Sequence, residues 1–263
     1  MPEGDTVWRT ARVLDRALAG QVLTKTDFRV PDLATADLAG ATVVGTTTRG
    51  KHLLTRIDGD HLWTLHTHLK MEGMWQVYAK GDRWRRPAHQ ARVVLTTAVR
   101  QAVGFSLGIV ELLPREREPD AVAHLGPDLL GPDWDQAEAV RRLRAHPDRP
   151  IAEALLDQTC LAGIGNLYRS ELCFTSGVHP ATPVAAVPEL ERMVHRAKAM
   201  LEANKERAEQ TTTGDLRRGR RTWVYRRERQ PCLRCDTTVE VTMTGEPGRE
   251  RATYWCPACQ PAP

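Results

Sequence analysis

Four cysteines near the C-terminus leave that end of the chain few ways to fold. Cys232-x2-Cys235 and Cys256-x2-Cys259 are separated by 20 residues. Two-residue gaps let a tight turn aim both thiolates of a pair at one tetrahedral ion, with metal–sulfur distances near ~2.3 Å. The array therefore predicts a closed, structural zinc site of the ribbon type, with Cys232, Cys235, Cys256 and Cys259 as its ligands. Val239, Val241, Tyr254 and Trp255 suit two strands of a hairpin that carries them. Metal ligation requires reduced thiols. The chain opens PEGDTVWR, without the apolar core of a signal peptide, and no apolar stretch approaches the roughly 20 residues of a membrane span. A cytoplasmic, nucleoid-associated protein is expected. The other two cysteines, Cys160 and Cys173, lie in helical, partly apolar sequence and read as buried free thiols.

Upstream of the ribbon the pattern changes twice. Val7, Ala11, Leu14 and Leu18 fall at helical spacing, so residues 4–19 read as an amphipathic helix ending at Gly20. From there to about Leu113 come short runs rich in Val, Thr, Leu and Trp, separated by turns such as Asp58-Gly59, which predict an antiparallel sandwich or barrel. Pro114 to Pro119 reads as a linker. Helices are then expected over Trp134–Arg144, Ile151–Gln158, Leu167–Ser176 and Val187–Ala203, the last with Val187, Leu190, Val194, Ala197 and Leu201 on one face. Residues 205–221 are polar and contain glycine, so a mobile loop is expected there. The fold class is α+β with several domains: 1–117, 118–216 and 217–263.

A formal charge of +4 is too small to make the whole chain a polyanion binder, but its distribution is uneven. Arg217, Arg218, Arg220, Arg221, Arg226, Arg227 and Arg229 crowd one stretch, opposed within it only by Glu228. Such a run suits nucleic acid first and an acidic membrane second, and a solvated face remains open. At the other end, loss of Met1 would make the Pro2 ring nitrogen a secondary amine. Free α-amino groups titrate near ~8, well below lysine, so a useful fraction is neutral and nucleophilic at neutral pH. Beside the carboxylate of Glu3, such an amine can attack a sugar carbon and form an iminium ion. Taken alone, Pro2-Glu3 says little, and a lone Lys51 is usually a surface residue. Gly163-Ile164-Gly165-Asn166 allows a tight turn with Asn166 as N-cap of the following helix, either a phosphate-binding helix start or a plain interhelical turn.

Together these segments resemble the formamidopyrimidine-DNA glycosylase / endonuclease VIII family. The likeness runs through the PEG start, TRGKHLL at 48–54, HLKMEGMW at 68–75, LGPDLL at 125–130, LDQTCLAGIGNLYRSELCF at 156–174 and PCLRC…RATYWCPACQ at the end. The GDTVWR opening looks most like the actinobacterial endonuclease VIII branch. The resemblance implies an N-terminal helix plus antiparallel β-sandwich, a helix-two-turn-helix domain and a C-terminal zinc-finger hairpin. It also implies roles. Pro2 attacks C1′ of the damaged nucleotide and Glu3 supplies a proton. Lys51 contacts the flanking phosphate and assists the lyase step, and Arg251 clamps the phosphate for the second elimination. Asn166 grips the backbone, Met71 is the wedge that fills the space left by a flipped base, and Lys70 reaches DNA beside it. Base flipping costs a few kcal/mol, which is why a wedge and clamps are needed. The eliminations that follow the iminium ion call for no redox cofactor.

Three positions depart from the family pattern. Thr6 stands where members often carry Glu. His124, expected to touch DNA, stands where an Arg often precedes Leu-Gly-Pro-Asp. Phe105 to Val110 replaces the Arg-Arg-Phe-Gly-type loop of the oxidised-purine branch, so oxidised pyrimidines are the expected lesions. The chain is thus expected to be a bifunctional glycosylase and abasic-site lyase acting on damaged DNA as a monomer, with one structural zinc ion. Its rivals are a purine-specific enzyme of the same fold and a non-catalytic damage-binding protein.

Overall fold

The apolar stripe predicted on the first helix is what the first half of the chain folds around. The computed structural model describes residues 2–245, 248 and 250–263; Met1, on whose removal the amine chemistry depends, lies outside them. The chain divides into two compact units, Met1–His124 and Leu125–Pro263, each with its own core.

In the first unit, α1 (Gly4–Leu18) buries Val7, Ala11, Leu14 and Leu18, the four positions read as its apolar face. Eight strands follow: β1 (Lys25–Phe28), β2 (Thr42–Arg49), β3 (His52–Asp58), β4 (Leu62–His68), β5 (Met74–Ala79), β6 (Ala91–Thr96), β7 (Arg100–Phe105) and β8 (Ile109–Pro114). They form two antiparallel four-stranded sheets, ordered β2-β3-β4-β8 and β1-β6-β7-β5. Leu53, Ile57 and Leu65 of one sheet and Val93, Leu95 and Ala102 of the other join the α1 residues in a single core. Alternation then sends Arg56 of β3 and Thr64 and His66 of β4 to the opposite face of the first sheet, because successive side chains on a strand point to opposite faces.

The linker expected at 114–119 is instead part of this unit. β8 runs to Pro114, a single 3-10 turn covers Arg115–Arg117, and α2 (Glu118–Val122) follows it. The Glu118 carboxylate returns to the sheet, accepting from Thr64 Oγ1 at 2.6 Å and from Arg56 Nη2 at 2.6 Å. A charged, proline-bearing segment looked like a linker because its partners lie more than fifty residues upstream.

The second unit contains α3 (Gln136–Arg144), α4 (Ile151–Ala154), α5 (Asn166–Thr175) and α6 (Leu190–Asn204), then the hairpin β9 (Glu240–Thr244) and β10 (Arg251–Trp255). Asp135 caps α3 by accepting from the Glu138 N–H at 3.0 Å. α4 stops four residues short of the expected end, as residues 155–165 turn repeatedly. α6 starts three residues late. Pro188 and a left-handed Glu189 (φ 50°) precede it, yet Val187, Leu190, Val194, Ala197 and Leu201 are all buried as predicted. Residues 205–221 hold no helix or strand, but they are cross-linked rather than loose. Asn204 Nδ2 donates to the Thr211 carbonyl at 2.9 Å and Asn204 Oδ1 accepts the Thr211 N–H at 2.8 Å, while Thr212 N–H reaches the Arg221 carbonyl at 2.8 Å. Cys160 and Cys173 are buried, and desolvation pushes the Cys173 thiol up to about 12.

Candidate functional site

In the first unit the helix start decides where the N-terminal groups lie. Glu3 is the N-cap residue, with extended backbone (φ −115°, ψ 179°), and its carbonyl accepts the Val7 N–H at 2.9 Å. Its side chain makes no capping bond and is completely buried, as is that of Asp5. Pro2, adjoining it, is half-buried. Glu3 at the N-cap and Asp5 in the first turn suit the positive end of the helix dipole. Thr6 is half-buried, and its carbonyl accepts from Thr10 Oγ1 at 2.8 Å.

Lys51 occupies the second position of the two-residue turn between β2 and β3, where Arg49 pairs with His52. Gly50 takes φ 57°, a left-handed value that a tight hairpin turn requires at this position. One turn away, Lys70 (φ 53°) and Met71 follow β4. Met71 is 65% exposed, large and apolar, with nothing in the core to hold it. The short β7–β8 turn lies against Lys70. A Cβ on Gly108 would come within 2.1 Å of Lys70 Cγ, so the glycine is needed for that approach. Gly108 N–H also donates to the His68 carbonyl at 3.0 Å.

Beside these lysines lies a group of histidines. His52 Nδ1 and His66 Nε2 are 2.7 Å apart, and His66 Nδ1 lies 2.8 Å from Glu111 Oε2. The His52 ring also meets His68 edge-on at 4.8 Å and His124 at 5.9 Å between centroids. His68 Nδ1 accepts the Lys70 N–H at 2.9 Å. Burial and then the neighbouring His68, His66, His124 and Lys70 push His52 down to about 3. Burial, then Lys70 and Lys51, push His68 down to about 4. Both rings are therefore neutral at pH 7, in a field that Lys51 and Lys70 make positive.

In the second unit, Asn166 does not cap α5 as expected. Gly165 is the N-cap residue and Asn166 the first helical one, with its side chain turned toward the hairpin. Asn166 Nδ2 donates to the Ala252 carbonyl at 2.7 Å. Arg169, one turn along and fully buried, donates from Nη2 to Asn166 Oδ1 and to the Ala252 carbonyl at 3.2 Å, and from Nη1 to Thr244 Oγ1 at 3.1 Å. Asn166 is thus tied to the strand that begins at Arg251, whose side chain is exposed. Glu171, also fully buried, accepts the N–H groups of Trp223, Val224 and Tyr225 at 2.8–2.9 Å and the Thr212 hydroxyl. It anchors the chain leading into the cysteine hairpin.

The four cysteines converge there. Their sulfurs all lie within 4.8 Å of one another, and Cys235 Sγ is 3.5 Å from those of Cys256 and Cys259. Tetrahedral bonds of ~2.3 Å place sulfurs roughly 3.8 Å apart, so the donor set fits one metal ion held by four thiolates. The arginine run is less free than its sequence suggests. Asp215 and Glu209 oppose it as well as Glu228, pairing with Arg217, Arg220 and Arg221. Arg227 is buried, donating to the carbonyls of Gly219 and Pro231.

The sequence reading did not single out His52, His66, His68, Glu111, Arg169 or Glu171. His66-x-His68 at strand period was a usable signal, since it sets two imidazoles on one face; the buried Arg169 and Glu171 carried none, because charged helix residues are usually solvent-facing.

Comparison with known proteins follows this layout. Residues 1–106 match the formamidopyrimidine-DNA glycosylase N-terminal domain and residues 125–215 the formamidopyrimidine-DNA glycosylase H2TH domain. The chain is 56% identical to the "Probable endonuclease 8 2" of Streptomyces coelicolor, spanning 100% of this chain and 95% of that one. It is 50% identical over 100% of both chains to the "DNA-(apurinic or apyrimidinic site) lyase Nei2" of Mycolicibacterium smegmatis, and 33% identical to an Escherichia coli "Endonuclease 8", spanning 99% of this chain and 100% of that one. Lactococcus lactis Fpg in complex with abasic-site DNA superposes with a TM-score of 0.81 at 22% identity, over 99% of this chain and 100% of that one, a likeness of fold. Both domains and the full-length identities place this chain in the formamidopyrimidine-DNA glycosylase / endonuclease 8 family.

Proposed function

We propose that the chain is a base-excision-repair DNA glycosylase with abasic-site lyase activity. The observation that carries this reading is Pro2-Glu3 at the head of α1, with the Glu3 carboxylate fully buried beside the proline, in a chain of this family. After loss of Met1, the Pro2 nitrogen attacks C1′ and the base departs. Glu3 protonates the opening deoxyribose or the leaving base. The resulting iminium ion acidifies C2′, so the 3′ phosphate and then the 5′ phosphate leave by β,δ-elimination. Lys51 and Arg251 serve as phosphate contacts for these steps, Asn166 as a backbone grip, Met71 as the wedge, and Lys70 and His124 as flanking DNA contacts.

The short β7–β8 turn, Ser106 to Gly108, supports oxidised pyrimidines as substrates, since it is too brief to inspect the opposite base. Zinc is the ion best matched to four cysteine thiolates in tetrahedral array. It would fold residues 217–263 into a finger within the second unit. A monomer in the cytoplasm, acting on nucleoid DNA, completes the reading; among the described residues no helix is long and apolar enough to cross a membrane. The test is excision from matched duplexes bearing thymine glycol or 8-oxoguanine. Preferential release of thymine glycol supports the reading. Preferential release of 8-oxoguanine would move the chain to the purine branch, and tight binding without strand cleavage would make it a damage-binding protein.

A further inference from the structure

On the outer face of the first sheet, Glu111 of β8, His66 of β4 and His52 of β3 form a chain of bonds that ends next to Lys51. Its protons can be counted. A carboxylate only accepts, so His66 Nδ1 carries the hydrogen directed at Glu111 Oε2. When His66 is neutral, its Nε2 is an acceptor, and the hydrogen on the 2.7 Å bond belongs to His52 Nδ1. The outer nitrogen of His52, Nε2, is then a bare lone pair and offers nothing to an anion. Direct protonation of His52 would put a cation in a buried place beside His68, His66, His124 and Lys70, and burial first, then those neighbours, hold its imidazolium down to about 3.

The relay offers another route. A proton arriving at His52 Nε2 lets the Nδ1 hydrogen cross to His66 Nε2. His52 stays neutral but becomes a donor at Nε2, and the positive charge rests on His66, which already donates to Glu111. The net change is one proton gained, with no other bond made or broken. His66 is buried (3% exposed) while Glu111 is half in solvent (53%), so the carboxylate stabilises the charge at a position removed from the lysines.

We propose that Glu111–His66–His52 is a positioning relay that couples uptake of one proton to the binding of a DNA phosphate at the Lys51 turn. The proposal rests on the glycosylase reading, which supplies the phosphate. The charged groups around the relay are Arg49 on β2, opposite His52; Lys51 in the turn; Arg56 on β3; His68 and Lys70 at the end of β4; and Glu118 and His124 after β8, with Arg115 near Asp58. Glu118 is engaged by Arg56 and Thr64, which leaves Glu111 as the carboxylate hydrogen-bonded to the histidines.

The test uses the full-length, metal-loaded protein and a labelled duplex with a tetrahydrofuran abasic analogue, which cannot be cleaved. Fluorescence anisotropy at constant ionic strength gives Kd between about pH 8 and about pH 6. One fully coupled proton is worth tenfold per pH unit, and the relay predicts that wild type tightens roughly three- to tenfold per unit. Glu111→Gln keeps an acceptor for His66 but loses the charge. This variant and His52→Gln should respond by less than about twofold per unit, while His61→Gln, at the opposite end of the β3–β4 pair, keeps the wild-type slope. Calorimetry in two buffers of different ionisation enthalpy should show about one proton fewer taken up by E111Q. A wild-type slope in E111Q, or a flat profile in wild type, overturns the relay and leaves the glycosylase reading standing. Failure of wild type to bind the duplex at every pH overturns the glycosylase reading itself.

Discussion

Replacing Arg169 by Met keeps most of the buried stem and removes the guanidinium fork. At least three acceptors lose a donor, but unequally. The Ala252 carbonyl keeps Asn166 Nδ2 at 2.7 Å, and Thr244 Oγ1 keeps Thr253 Oγ1 at 2.5 Å. Asn166 Oδ1 loses the Arg169 Nη2 donor that fixes its amide. Hydrogen bonds from a charged donor are worth about 1.5–3 kcal/mol each, and removing a buried guanidinium returns part of its desolvation penalty. The net loss should be about 2–4 kcal/mol, felt where α5 meets β9 and β10. With two units a single melting temperature is ambiguous, so amide hydrogen exchange across residues 240–245 and 251–255 is the better assay. Exchange of the most protected hairpin amides should accelerate roughly 30- to 700-fold, since about 1.4 kcal/mol is a factor of ten. Amides of β3 and β4, in the other unit, should not change. Affinity for abasic DNA should fall about tenfold or more, because Asn166 and the strand bearing Arg251 lose their common tie. Hairpin exchange and DNA affinity both at wild-type levels would refute this account of Arg169.

Other expectations follow from the same geometry. Burial works to raise the Glu118 carboxyl, but the bonds from Arg56 and Thr64 outweigh it and hold the group below its ordinary 4.5. A depressed carboxyl stabilises the fold above that value and ceases to do so as pH falls through the folded-state value. Glu118→Gln should therefore cost about 1 kcal/mol at pH 7, discounted for the 41% exposed Arg56, and the deficit should vanish in acid unfolding below 4.5. Met71→Ala should leave stability within about 0.5 kcal/mol, as its side chain is exposed, yet slow excision from duplex far more than from single strands. Chelation or Cys235→Ser should release one zinc per chain, measured by atomic absorption, and unfold the hairpin while β3 and β4 amides remain protected.

Much of this was legible in the residues. Val7, Ala11, Leu14 and Leu18 announced α1 because a helix shows its buried face at a fixed period, and the cysteine spacing announced the ribbon because ligand geometry is local. The misreadings share a cause. Glu118 and the Asn166 side chain are placed by partners far away in sequence, Arg56 and Ala252, and a helix cap or linker inferred from neighbours cannot register them. The arginine run looked opposed only by Glu228 because Asp215 and Glu209 lie just outside it. The histidine relay spans three strands, and only the register that sets His66 opposite both Leu54 and Glu111 brings it together.

The central claim is that the Pro2 nitrogen forms the bond to the sugar. Its most direct test is borohydride trapping on an abasic oligonucleotide, with protein whose mature N-terminus has been confirmed, followed by mass spectrometry of the adduct. The account predicts a covalent complex whose modified residue is Pro2, and no complex for Pro2→Ala at unchanged zinc content. An adduct on a lysine, or trapping that persists in Pro2→Ala, would contradict it.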